Sequence, residues 1–202
     1  MRAFLAEITE SALLGLLEPA PVRFTAQHES DVPRVRAAIR RARDGTLARL
    51  RPPVNRNAFL LGCLDATQHA PREHLLIGYG CRYGSTTKID GVHHNVGDAR
   101  SVQLPACMAH TMAEHFAHHG DAELLIFHNH PYNPINLLFD NAPLASRTDR
   151  VFTAKHTMNF PQLVRQLFDR GRVLFYLGEN GLVKPFSLPS LATLLQHRST
   201  PG

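Results

Sequence analysis

The chain has 202 residues, 44% of them hydrophobic and 19% charged, enough for one ordinary core plus extensions. No run of about 18 apolar residues occurs, so no membrane partner is expected, and the start lacks the apolar stretch of a signal peptide. The net charge of +5 permits contact with a polyanion without requiring it, and Cys63, Cys81 and Cys107 fit neither a zinc ribbon nor a disulfide framework, which points to the cytoplasm.

In chain order, Thr9 or Ser11 can cap a short helix over residues 12–17, ended by Pro19 and Pro21. Ser30 and Asp31 look like caps of a second helix with Pro33 in its first turn. Val32, Val35, Ile39 and Ala42 form its apolar stripe. Arg34, Arg36, Arg40, Arg41 and Arg43 occupy its other faces, with Arg49 and Arg51 beyond. Such a face is either solvated or a contact for nucleic-acid phosphates, and both readings stay open. The Pro52-Pro53 pair is expected to break the chain, leaving residues 1–52 as a helical extension, 53–187 as the main domain and 188–202 as a tail.

Residues 58–65 read as an apolar strand, residues 67–72 as a turn, and residues 74–81 as a second strand antiparallel to the first. A polar segment with His93 and His94 follows. Leu104, Met108, Met112 and Phe116 mark the core face of a helix ended by Gly120. His115 and His119 share one face of it at a spacing compatible with a metal, although hydrogen-bonded or solvated rings are the commoner outcome. Late in the chain, Asn159 and Pro161 can start a helix, and residues 173–177 and 182–186 form a hairpin around Asn180-Gly181. Residues 190–196 suit a last short helix. Mixed helices and strands with antiparallel pairs indicate an α+β mixed sheet flanked by helices.

The chemistry concentrates at residues 124–131. Leu124, Leu125, Ile126 and Phe127 make a buried strand that runs into His128-Asn129-His130-Pro131. Residues i and i+2 of a strand share a face, so the two imidazoles converge as two ligands of one metal must. Ser146-Arg147-Thr148-Asp149 offers a third ligand in Asp149.

His128-Asn129-His130-Pro131 followed by Ser146-x-x-Asp149 resembles the signature of the JAB/MPN (JAMM) metalloproteases, and Asn129 points to the RadC-like branch. The resemblance extends weakly over residues 57–186 and implies a cytidine-deaminase-like scaffold. It further implies a zinc ion on His128, His130 and Asp149, with Ser146 helping to stabilise an oxyanion. A protein or ubiquitin-like conjugate would be the substrate partner, and RadC-like proteins also carry a DNA-repair association. The family's general base is a glutamate. Counting back from Leu64-Asp65 in the RadC pattern places that position at Asn57, whose amide can hold a water but cannot take its proton. Other departures are Tyr132-Asn133 after the histidine motif, a longer segment over residues 132–145, and Phe175-Tyr176 near the end. A weak or non-catalytic scaffold is therefore expected. The alternative is an active zinc (iso)peptidase using another base, with Glu73 at the head of the neighbouring strand or Asp140 as candidates. A nucleic-acid-binding module acting through the arginine helix is the third reading.

Overall fold

A computed structural model describes residues 20–42, 45–98, 102–131, 173–179 and 181–186. Its elements, in order, are α1 (Ala26–Glu29), α2 (Val32–Arg41), β1 (Ala48–Asn55), α3 (Arg56–Thr67), β2 (His74–Tyr83), β3 (Thr86–Val96), α4 (Ala106–His118), β4 (Ala122–Asn129), β5 (Val173–Glu179) and β6 (Leu182–Phe186). The strands form one sheet in the order β1-β3-β2-β4-β5-β6. Every described pairing is antiparallel except β4 with β5. The class is mixed α+β, as the sequence implies. Among the described residues no helix is long and apolar enough to cross a membrane.

Alternation along the strands separates two cores. Leu76, Leu125 and Phe127 face α2 and α3, where they pack with Val35, Ile39, Phe59, Leu60 and Cys63. Leu75, Ile77 and Leu124 face α4 and pack with Met108, Met112 and Phe116, the stripe read from the sequence. Val35, Ile39 and Ala42 of the α2 stripe are buried as expected. The hairpin β5–β6 also forms, with Gly181 at φ 76° in the turn.

Three expectations need correction. Residues 58–65 are not a strand but the body of α3. A short apolar run cannot by itself tell a strand from a helix buried on several sides, and α3 is such a helix, wedged between α2 and the sheet. Its start is marked by Asn55, whose side chain accepts a hydrogen bond from the Asn57 amide at 2.8 Å. At Gly62 an added Cβ would lie 2.5 Å from the Val35 Cβ, so the α2–α3 approach requires glycine there. Secondly, Pro52-Pro53 does not precede the core. Both prolines lie inside β1, and a domain boundary after residue 52 would cut this strand. Among the described residues β1 is an edge strand, where a missing N–H is tolerated, and its register against β3 shifts between Arg49 and Val54 around the prolines. The polar segment with His93 and His94 is likewise a strand, β3, with both histidines buried. At the opposite margin, the Val22 amide donates to the Val183 carbonyl at 2.7 Å, tying the chain around Val22 to β6.

Candidate metal centre

β4 delivers the histidines. His128 pairs in register with Leu75 of β2 and shares its face, the one toward α4. His130 follows the strand, and its amide donates to the Gly178 carbonyl of β5 at 3.0 Å. The two rings sit with centroids 5.0 Å apart and planes at 72°. The convergence expected from their spacing is present.

The carboxylate that the described residues bring to them is Glu73. Ligand atoms of Glu73, His128 and His130 all lie within 4.8 Å of one another, an arrangement that could hold a metal ion. Glu73 is 8% exposed. It extends the β2–β3 ladder by one residue, its amide donating to the Asp98 carbonyl at 2.7 Å and its carbonyl accepting from Gly97 at 2.8 Å. Two residues before Leu75, it therefore points to the face that also carries His128. A second carboxylate stands behind His130. The Glu179 Oε2 is 3.6 Å from the His130 Nδ1, at the C-terminal end of β5 and 9% exposed. That distance is longer than a hydrogen bond, so the carboxylate acts on the ring through its charge. It favours the tautomer with the proton on Nδ1, leaving Nε2 for a metal.

Asn57 is not brought to this group. Its neighbour Asn55 pairs with Lys88, Lys88 with Cys81, and Cys81 with Ala122. Ala122 and His128 are six steps apart along β4, about 20 Å at roughly 3.3 Å per residue. From Asn57, α3 runs back toward the site and ends at Thr67, whose carbonyl meets the Asn129 amide. Counting back from Leu64-Asp65 goes astray because it assumes a strand where the chain is helical. Ser146 and Asp149, like Asp140 and the helix expected after Asn159, lie outside the described residues, as do the short helices expected over residues 12–17 and 190–196.

The other candidates have structural partners. His115 lies 2.9 Å by its Nε2 from the Gly80 carbonyl, and burial pushes its pKa down, so it is a hydrogen-bonded core ring, the commoner outcome for such a pair. On α2, Arg34 donates to the Pro52 carbonyl at 2.8 Å and pairs with Asp31 at 3.4 Å. Arg36 pairs with Asp65 at 3.1 Å, Arg41 donates to the Arg49 carbonyl at 3.3 Å, and Arg49 pairs with Asp90 at 3.5 Å. Arg40 is exposed, and Arg43 lies outside the described residues. Comparison of the chain with protein-family models, with curated proteins and with solved structures finds no match in any of the three.

Proposed function

We propose that the chain is a metal-dependent hydrolase of peptide or isopeptide bonds, built on a JAB/MPN-like scaffold, with Glu73 as its general base. The observation that carries this reading is the convergence of Glu73 with His128 and His130 within 4.8 Å. The donors described fit zinc: two imidazole nitrogens, one ring backed by a carboxylate; the resemblance implies Asp149 as the third ligand. When bound, zinc would supply Lewis acidity toward a substrate carbonyl and water activation near neutral pH.

The chain's own residues divide the remaining work. His128 and His130 would hold the ion, and Glu179 orients the His130 ring. Glu73 accepts the proton of the attacking water and passes it to the leaving nitrogen, the step for which an asparagine is unfit. Ser146 donates to the oxyanion, as the family resemblance implies. The expectation of a degenerate site rests on Asn57, and a carboxylate beside the histidine pair supports the alternative of an intact one.

Zinc content and hydrolysis, measured side by side, test this. The probes are a fluorescence-quenched peptide library and lysine-linked di-ubiquitin. His128→Ala and Asp149→Ala should lose zinc. Glu73→Gln should keep zinc and lose hydrolysis by about a hundred- to ten-thousand-fold, the usual contribution of a positioned base. Asn57→Ala should change neither. Undiminished hydrolysis in Glu73→Gln, or equal zinc in all four variants, overturns the reading.

A further inference from the structure

Between the two histidines stands a side chain that faces the other way. Asn129 points toward α3, is 1% exposed, and touches three backbone groups far from it in sequence. The His74 amide donates to its Oδ1 at 2.7 Å. Its Nδ2 donates to the Arg72 carbonyl at 3.3 Å and reaches the Thr67 carbonyl at 3.5 Å. His74 and Arg72 are the residues on either side of Glu73. We propose that Asn129 is a positioning residue that fixes Glu73 against the histidine pair by clamping both of its neighbours. The proposal rests on Glu73 being the base.

The amide is suited to this task as few side chains are. It presents one acceptor and two donors from one planar group, and the segment offers one N–H and two carbonyls to match. Aspartate would set a second acceptor against the two carbonyls. Leucine would give neither kind of contact. The geometry also ties the base to the metal-holding rings through a single tripeptide. Any shift of residues 128–130 carries both rings and the clamp together, so the separation of Glu73 from the rings is held constant. Glu73's own peptide groups are engaged on the other side by Gly97 and Asp98, so the clamp closes the segment from the β4 direction. A misplacement of about 1 Å at a reacting group can cost on the order of a hundredfold in rate, which sets the expected effect.

Two readouts test the clamp, one independent of catalysis. Hydrogen exchange is followed by mass spectrometry over residues 68–76 in the full chain, zinc-loaded and chelator-treated. In Asn129→Ala the His74 amide should exchange at least about tenfold faster, while peptides from the centre of β2 keep their rates. In hydrolysis of the same probes, kcat should fall by about ten- to a hundredfold with KM within about twofold. Added to Glu73→Gln, the Asn129→Ala change should cost nothing further, because it acts through Glu73. Unchanged exchange at His74, or additive losses in the double variant, overturns the proposal. Where Asn129→Ala does not fold, Asn129→Ser, which keeps a small polar group, is measured by the same two readouts, and the same results support or overturn the clamp. If Glu73→Gln hydrolyses the probes at full rate, the base assignment falls, and the exchange measurement alone decides whether Asn129 clamps the segment.

Discussion

Replacing Glu179 by glutamine isolates the charge behind His130 while keeping side-chain volume. The carboxylate stands 3.6 Å from the His130 Nδ1 at 9% exposure, so little water screens it. A glutamine keeps a neutral oxygen opposite the Nδ1–H, but the attraction for a ring made electron-poor by a cation is gone. Second partners of this kind typically contribute ten- to a hundredfold in metal affinity, about 1.4 to 2.7 kcal/mol. The assay is zinc competition against a chromophoric chelator at pH 7.5, with thermal unfolding as a second measure. At saturating zinc, a thirtyfold weaker affinity removes about 2 kcal/mol of ligand-linked stabilisation, since that term grows as RT ln(1 + [L]/Kd). For a chain of this size the melting temperature of the zinc-loaded variant should then fall by roughly 4–8 °C against the wild type, with the chelated forms nearly equal. Equal zinc affinity in the two proteins refutes the orienting role. So does a loss of stability in the variant that is as large without zinc as with it.

Three further outcomes are expected. Gly62→Ala should lower the unfolding free energy by about 1–3 kcal/mol in chemical denaturation, because its Cβ would meet the Val35 Cβ at 2.5 Å. A neutral result would mean that α2 moves away at no cost. Burial lowers the His93 pKa from 6.5 to about 4, so the unfolded chain binds the proton first; the stabilisation is full above pH 6.5 and is lost as pH falls toward 4. The ceiling is about 3 kcal/mol, and His93→Gln should flatten the stability profile between pH 6.5 and 4 relative to the wild type; parallel profiles would contradict it. If the arginine face of α2 contacts nucleic acid, duplex binding should weaken with salt on a shallow slope of one or two phosphate contacts, since Arg34, Arg36 and Arg41 already hold partners within the chain. No binding at low salt in a fluorescence titration leaves that face solvated.

What the sequence discloses and what it hides follow the range of each interaction. The convergence of His128 and His130 needs only the local period of a strand, and it is legible, as are the Met108–Met112–Phe116 stripe of α4 and the turn at Gly181. Glu73 is visible as an acid at the head of a strand, but its partner is not, because the pairing of Leu75 with His128 links positions that no periodicity connects. α3 passes for a strand since burial on several sides erases the amphipathic pattern that separates helix from strand. The cap at Asn55 is its one local signal. β3 reads as polar because His93 and His94 each meet another side chain only in the fold, with the Tyr79 hydroxyl 2.8 Å from His93 and the His74 ring 2.8 Å from the His94 Nε2. Such pairs become visible once the fold has brought them together.

The margins of the sheet have a bearing on self-association. An open sheet invites another chain to pair along its edge, and in crowded solution such pairing is a route to aggregation. Among the described residues β1 ends the sheet on one side with Pro52 and Pro53, which offer no N–H, and with a register shift that interrupts regular pairing. On the other side the segment around Val22 already lies against β6, whose Pro185 also lacks a donor. The prolines that read as a break in the chain thus act as a barrier between molecules. Replacing both by residues with a free N–H would open a template for edge-to-edge growth.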